Sequence, residues 1–291
     1  MLHYQKNRGA AGIDKESIEL FSLNLDANLA SLMKELKNGS YQPIPLRRVF
    51  IPKGFGKVEF RPLGIPCVRC RIAQEVTRQL ISPIFEKQFH QNSFGFRPGR
   101  NCHQAVECLI DYIQQGYEYI LDADIKGFFD NIPHHLIKDS VAAKIADGNI
   151  LNLIEKFLTS GVMEEGELRP TTRGTPQGGV ISPCLSNITL DHLDWHMEDH
   201  GYIIVRYADD FVILTKTKTQ AEKALIDVTL FLEKMGLQLS SEKTHITHVS
   251  QGFDFLGFHI TSKGITIKRK SEEKFKSKVM TSPRSGELDD Y

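Results

Sequence analysis

The sequence has no long apolar run. None of its apolar stretches approaches the roughly 18 residues that a membrane-spanning helix needs. The first residues, Met1 to Lys6, lack the apolar core of a secretory signal. Neither an internal repeat nor a low-complexity tract is present, and the apolar and charged fractions, 41% and 25%, are those of an ordinary globular protein. We therefore expect a cytoplasmic protein without a membrane span.

Cysteine is scarce as well. The five cysteines in 291 residues are odd in number and scattered, as in proteins of a reducing compartment. Cys67 and Cys70 form a CxxC pair, but no second CxxC follows it. Only Cys102 and His103 would complete a zinc site, so the pattern favours no zinc.

The chain also lacks net charge, although its charges are unevenly distributed. Residues 41–100 contain eleven Lys or Arg and three Asp or Glu, an excess of eight positive charges, with aromatic residues interleaved. Such a segment suits a phosphate backbone or a triphosphate. A solvated basic surface is the alternative.

Strand-like and helix-like apolar patterns alternate along the chain. Strands are predicted at 47–53 with a return at 58–65, from 119 onward, at 203–214 (a hairpin) and at 253–260. Helices are predicted at 27–37, 71–85, 102–115, 136–160 with a break at 147–148, about 184–199, and 219–235. In the second of these helices the apolar spacing is carried by Ile72, Val76, Leu80 and Ile84. This order predicts an α+β fold with helices on one face of a mainly antiparallel sheet.

Two adjacent carboxylates, Asp209 and Asp210, interrupt the hairpin at 203–214. The flanks are β-branched or aromatic, so both strands should be buried and the carboxylates should lie at the tip. Enclosing two neighbouring like charges is costly unless a cation compensates, and Mg²⁺ suits carboxylate oxygens. The alternative is a solvated Asp-Asp turn.

Other candidate residues lie on strands and turns. Asp122 and Asp124 share one face of a strand by its period of two, and Asp130 is placed to cap the next helix. Lys53 and Arg61 flank a predicted tight turn and can grip a triphosphate; ordinary cross-strand surface charge is the alternative. The loop 93–100 combines aromatics with arginines, a pattern that holds single-stranded nucleic acid.

Together these motifs resemble a reverse transcriptase of the group II intron type. The resemblance is carried by Asp124-Ile-Lys-Gly-Phe-Phe129, Pro176-Gln-Gly with Ser182-Pro183, and Tyr207-Ala-Asp-Asp210. It is supported by Asn7-Arg-Gly-Ala-Ala-Gly12, Arg47-Arg-Val-Phe-Ile-Pro-Lys53, Arg61-Pro-Leu-Gly-Ile-Pro66, Ser93-Phe-Gly-Phe-Arg97 and Phe255-Leu-Gly257. The resemblance implies a right-hand polymerase with fingers at 1–115. A palm at 116–260 would include a helical fingers return at about 136–172. Residues 261–291 would begin a thumb or maturase region, which we expect to be truncated.

The resemblance also implies roles for individual residues. Asp124, Asp209 and Asp210 would hold two Mg²⁺ ions, and Lys243 would act as a general acid toward pyrophosphate. The incoming dNTP would be bound by Lys53, Arg61, Gln177, Gly178 and the sugar-sensing Phe129, with Phe128 as the fallback. Template and primer contacts would come from Arg97, Leu256 and Gly257.

The implied activity is synthesis of DNA on an RNA template from a DNA or RNA primer, with group II intron RNA as the expected template. Cys70 departs from the family pattern, which has Asp at this position. Two alternatives remain open at this point. One is an RNA-binding maturase remnant without enzymatic activity, and the other is a phage-defence or diversity-generating reverse transcriptase.

Overall fold

The computed structural model describes residues 9–52, 59–269, 272, 273 and 276. The predicted tight turn between Lys53 and Arg61, the triphosphate-gripping candidate Lys53 itself, and most of the expected thumb or maturase region at 261–291 lie outside these residues. The helices are α1 (Ile18–Leu23), α2 (Leu25–Lys37), α3 (Val68–Glu86), α4 (Cys102–Gln114), α5 (Phe128–Asn131), α6 (His134–Ala142), α7 (Gly148–Thr159), α8 (Ser182–Asp199) and α9 (Lys218–Lys234).

The strands form three sheets. They are β1 (Leu46–Pro52), β2 (Phe60–Ile65), β3 (Tyr119–Asp124), β4 (Val162–Glu164), β5 (Glu167–Arg169), β6 (Ile203–Tyr207), β7 (Asp210–Thr215), β8 (His245–His248), β9 (Phe253–Phe255), β10 (Phe258–Thr261) and β11 (Gly264–Ile267). Among the described helices, none combines the length and apolar composition needed to cross a bilayer.

The central sheet has the strand order β6-β7-β3-β8, and all of its pairings are antiparallel. Alternate side chains of each strand enter different cores, as the period of two requires. Leu121 and Ile213 pack into the larger core with α8 and α9, whereas Ile120 and Val212 pack into a second core with α4. The predicted α+β layout is confirmed, and the second face of the sheet carries a helix and the β9–β10 hairpin as well.

A separate sheet contains β2, β1, β4 and β5 in that order. β1 and β2 form an antiparallel hairpin in which Ile51 lies opposite Arg61. The hairpin is joined to the body by β4, which runs parallel to β1, and by the backbone amide of Gly64, which donates to the carbonyl of Gln177 at 2.7 Å. This second link places β2 beside the loop that precedes α8.

Two details correct the sequence prediction. The stretch 253–260 is not one strand, because Leu256 and Gly257 have φ of +50° and +86° and turn the chain back between β9 and β10. Three of the four apolar positions chosen for α3 point outward: Val76, Leu80 and Ile84 are exposed. Ile72 packs partly against the core, and the buried stripe of the helix includes Ile81. The buried stripe also contains small and polar residues, so apolar periodicity does not identify it as the buried face.

Candidate active site

Three aspartates meet where the two central strands of the sheet end. Asp124 closes β3 and lies directly opposite Asp210, the first residue of β7. Asp209 occupies the two-residue turn between β6 and β7, after Ala208, whose φ of +60° lies in the left-handed region. The sequence expectation that position 124 folds back onto the 209–210 turn therefore agrees with the geometry.

The aspartates share a cleft of about 700 Å³ and affect one another there. Desolvation, followed by the charges of Asp209, Asp124 and Asp122, raises the pKa of Asp210 to about 6. Desolvation also raises the pKa of Asp209, and Asp124 adds to the shift. The cluster is thus electrostatically unfavourable when fully ionised, and it would gain from a bound cation.

Lys243 supplies one positive charge to this cluster. Its Nζ lies 2.9 Å from Oδ2 of Asp124, and this hydrogen bond raises the pKa of Lys243. The backbone explains the approach: the amide of Ser240 donates to the carbonyl of Asp124 at 2.7 Å, and the amide of Lys126 donates to Gln238 at 2.8 Å. A segment distant in sequence is therefore laid along the end of β3.

The opposite wall of the cleft carries cationic, amide and aromatic groups. Arg61 of β2, Gln177 and Gly178 of the loop before α8, and Phe129 of α5 all line it. Gly178 has a φ of +105°, and a Cβ there would lie 2.5 Å from the carbonyl oxygen of Gly64. This contact between two backbones requires glycine and fixes the loop against β2.

The two neighbouring phenylalanines are placed differently. Phe128 is 1% exposed and belongs to the main core, while Phe129 is partly exposed at the cleft. The two rings pack edge-on, with their centroids 5.4 Å apart. Gly127 before them has a φ of +53° and allows the sharp entry into α5. Both residues line the cleft, and Phe129 is the one with the more exposed side chain.

Asp130 is a cleft residue that the sequence argument misassigned. It does not cap α6, whose N-cap residue is Pro133. Its Oδ2 accepts a hydrogen bond from Nε2 of Gln177 at 3.3 Å. Desolvation raises the pKa of Asp130, and the nearby charges of Arg48 and Arg61 oppose this shift.

Arg97 is not among the described residues that line the cleft. It is 6% exposed, its Nε donates to Oε1 of Glu86 at 2.9 Å, and its Nη1 donates to the carbonyls of His90 and Ser93 at 2.7 Å each. A guanidinium occupied in this way holds the loop together, and its predicted contact with a template stays a prediction. Phe96 of the same loop is 58% exposed and lines the cleft.

Leu256 and Gly257 lie at the tip of the β9–β10 hairpin. Neither residue is among the described residues that line the cleft. Leu256 packs instead on the second core, on the far side of the central sheet from α8 and α9. Their predicted contact with a primer therefore stays a prediction.

The carboxylate set fits a divalent cation by its chemistry, because hard cations such as Mg²⁺ prefer carboxylate oxygens. Within the described part of the chain, however, no three Asp, Glu, His or Cys side chains converge closely enough to hold one ion, and Asp124 is paired with Lys243. Cys67 and Cys70 are buried beside each other without a third ligand from Cys102, which lies next to His103 on α4. The expectation that they bind no zinc stays a prediction.

Comparison with known families names the class of protein to which this fold and cleft belong. The chain belongs to the reverse transcriptase (RNA-dependent DNA polymerase) family, which it matches over residues 51–260.

Individual relatives refine this assignment. The chain is 35% identical over 297 aligned residues to Protein YkfC of Escherichia coli (strain K12), covering 89% of this chain and 77% of that protein. It is 32% identical over 339 aligned residues to the group II intron-encoded protein LtrA of Lactococcus lactis subsp. cremoris, covering 94% of this chain and 56% of LtrA. The resemblance to the group II intron type is thereby confirmed, and the chain spans little more than half of the LtrA length.

Solved structures support the fold. Apo telomerase from Candida tropicalis superposes with a TM-score of 0.62 at 14% identity, covering 78% of this chain and 49% of that one. Telomerase from Candida albicans, in complex with the TWJ fragment of telomeric RNA, gives 0.61 at 14% identity, covering 87% of this chain and 50% of that one. At such identities the likeness concerns the fold alone, and it agrees with the predicted fingers-and-palm class.

Proposed function

We propose that this protein is an RNA-directed DNA polymerase of group II intron type that transfers a nucleotidyl unit from a dNTP to a primer 3′-hydroxyl. The observation that carries the proposal is the pairing of Asp124 with Asp210, beside Asp209, in a cleft whose other wall holds Arg61 and Gln177. A cluster of anions facing cations and amides suits a reaction in which a triphosphate is cleaved.

Asp124, Asp209 and Asp210 are the residues that would hold divalent cations, and we propose Mg²⁺ because all of the donors are carboxylate oxygens. Bound Mg²⁺ would supply charge neutralisation at the attacking and departing oxygens. This role accounts for the crowding of the aspartates, which desolvation and mutual repulsion otherwise make unfavourable, as the raised pKa of Asp210 indicates.

Protein side chains perform the remaining tasks. Arg61, with Lys53 in the part of the hairpin that is not described, would bind the triphosphate. Lys243, with an ammonium 2.9 Å from Asp124, would donate a proton to the departing pyrophosphate. Phe129 would contact the sugar of the incoming nucleotide and exclude a 2′-hydroxyl, while Gln177 and Gly178 would pack against the nucleotide.

The proposed partners are an RNA template, with group II intron RNA as the leading candidate, a DNA or RNA primer, and dNTPs. Phe96 offers an exposed ring at the cleft on which a template base can stack. Leu256 and Gly257 are proposed to contact the primer from the β9–β10 turn.

A primer-extension assay on an RNA homopolymer template, with and without Mg²⁺, tests this function. We expect dNTP incorporation that requires the cation and disappears in the Asp209→Ala, Asp210→Ala double variant. Equal incorporation by that variant and the wild type would overturn the proposal. Intron RNA binding by the wild type without any extension would instead indicate the non-enzymatic maturase alternative.

A further inference from the structure

The side chain of Arg206, two residues before Ala208, is fully buried beneath the catalytic turn. It is 0% exposed, although it follows directly on the apolar positions of β6. The backbone of Arg206 joins the loop before α4: its amide donates to the carbonyl of Asn92, and its carbonyl accepts from the amide of Phe94, both at 2.9 Å. A buried cation in a strand core is costly and must be compensated.

Every donor of the guanidinium has a partner. Nε donates to Oδ1 of Asp194 at 2.7 Å, and Nη2 donates to Oδ2 of Asp194 at 2.5 Å and to Oγ of Ser93 at 2.9 Å. Nη1 donates to Oδ1 of Asn187 at 3.0 Å and to the carbonyl oxygen of Ala208 at 2.9 Å. All five N–H groups of an arginine side chain are thereby satisfied.

The last of these bonds reaches the turn that carries Asp209. Ala208 has a φ of +60°, a region that alanine rarely adopts, and its carbonyl is attached to the amide of Asp209. A conformation of this kind persists only where the surroundings enforce it. The hydrogen bond from the buried Arg206 guanidinium to the Ala208 carbonyl provides such a constraint.

A second constraint comes from the loop above. A Cβ on Gly95 would lie 2.2 Å from the amide nitrogen of Ala208, so the two backbones are in direct contact. The carbonyl of Gly95 accepts a hydrogen bond at 2.8 Å from Asn187, the same side chain that accepts from Arg206. One buried network thus ties α8, the 93–96 loop and the turn together.

We propose that Arg206 is a positioning residue for Asp209: it acts through the Ala208 carbonyl and its network with Asp194, Asn187 and Ser93. Stability alone does not account for this arrangement, because a buried ion pair can often be replaced by apolar side chains without loss of stability. A guanidinium that holds Ala208 in the left-handed conformation also fixes the backbone position of the next residue, Asp209. The predicted effect of Arg206 on kcat rests on the proposed polymerase function. Its predicted effect on the conformation of the 207–210 turn rests on the structure alone.

The test uses the double variant Arg206→Met, Asp194→Leu, which removes both buried charges together and avoids stranding one of them. Ile204→Ala, a core truncation in the same strand with 1% exposure in the wild type, is the matched control, because it destabilises the strand without touching the Arg206 guanidinium. Thermal unfolding is measured first, and all assays are run well below the lower midpoint.

We expect kcat for primer extension to fall about 10- to 100-fold in the double variant, with KM for dNTP changed less than about threefold, since a small displacement of a catalytic group costs this much. Ile204→Ala should keep a kcat within about twofold of the wild type. Hydrogen exchange should accelerate in the peptide containing residues 207–210 of the double variant and stay unchanged there in the control.

A folded double variant with wild-type kcat or with wild-type exchange at 207–210 would overturn the positioning role. Failure of the polymerase proposal is recognised separately, because the wild type would then show no extension. In that case the exchange comparison still decides whether Arg206 holds the turn.

Discussion

The ammonium of Lys243 lies 2.9 Å from a carboxylate oxygen of Asp124, although 119 positions separate them in the chain. The contact is formed because the segment before Lys243 is hydrogen-bonded along the end of β3. Lys243 is thus held at the edge of the aspartate cluster, where it can serve as a counter-ion or as a proton donor.

The two roles of Lys243 predict different substitution effects. If Lys243 donates a proton, Lys243→Ala should lower kcat about 10- to 100-fold with little change in KM for dNTP. Lys243→Arg should not restore the rate, because a guanidinium does not release its proton at neutral pH. Steady-state extension kinetics check this, with Lys263→Ala as the control at an exposed lysine. A full rescue by arginine would show that Lys243 is only a counter-ion.

Asp130 shares the cleft with Arg61, which is proposed to bind the triphosphate. Asp130→Asn keeps a hydrogen-bonding partner for Gln177 but removes a negative charge near Arg48 and Arg61. We expect KM for dNTP to fall about two- to fivefold at low salt, because removing one charge several ångströms from a phosphate is worth about 0.5–1 kcal/mol in a solvated cleft.

The salt dependence provides the check for Asp130→Asn. The gain in dNTP affinity should shrink at about 0.5 M salt, where charges in a solvated cleft are screened. An increase in KM at low salt would contradict this account and would indicate that the charge of Asp130 is needed to hold Gln177.

The partly exposed ring of Phe129 predicts control of sugar selection. Phe129→Val should lower the ratio of kcat/KM for dNTP over rNTP by about 10- to 100-fold, the range that steric differences in a pocket produce. Phe128→Leu is the matched control: it should cost about 1 kcal/mol or more of stability through the core and leave the ratio unchanged. Loss of discrimination in the Phe128 variant instead would reverse the assignment.

Asp122 predicts a pH-dependent difference in stability. Its carboxylate lies 4.0 Å from the His245 ring, and desolvation raises its pKa to about 6. A carboxylate with a raised folded-state pKa destabilises the fold once it is ionised, so its penalty is absent near pH 4 and grows as the pH rises through 6. In EDTA, Asp122→Asn should therefore be more stable than the wild type at pH 7–8, by roughly 1–3 kcal/mol.

Denaturant unfolding at pH 4 and at pH 8 measures this difference. Asp139→Asn, at an exposed position of α6, serves as the control and should show no comparable change between the two pH values. A stabilisation by Asp122→Asn that is equal at both pH values would contradict the account.

The sequence was informative where chemistry and periodicity act locally. The central strands and most helix boundaries were predictable from apolar periodicity. The meeting of Asp124 with the 209–210 turn was implied by the resemblance to reverse transcriptases and not by the strand pattern itself. The buried stripe of α3 was not predictable, because its alanine, glutamine and threonine carry no hydrophobic signal.

Side chains whose roles depend on distant partners were the main failures. Arg97 was predicted to contact a template because its loop combines aromatics with arginines, and the sequence did not indicate that Glu86 and two backbone carbonyls occupy its guanidinium. Asp130 was predicted to cap a helix because the sequence does not indicate that the loop carrying Gln177 lies beside it. Arg206 gave no signal at all, because its partners on α8 and in the 93–96 loop come together only in the folded chain.

The central claim is that Asp124 and the aspartates of the 209–210 turn form one catalytic centre. The most direct measurement is primer extension on an RNA template by Asp124→Asn, compared with Asp122→Asn two positions away on the same strand face. The account predicts that Asp124→Asn loses about a thousandfold or more in kcat, as expected when the electrostatic centre of a reaction is removed, while Asp122→Asn stays within about tenfold of the wild type. A folded Asp124→Asn protein that extends primers at the wild-type rate would contradict it.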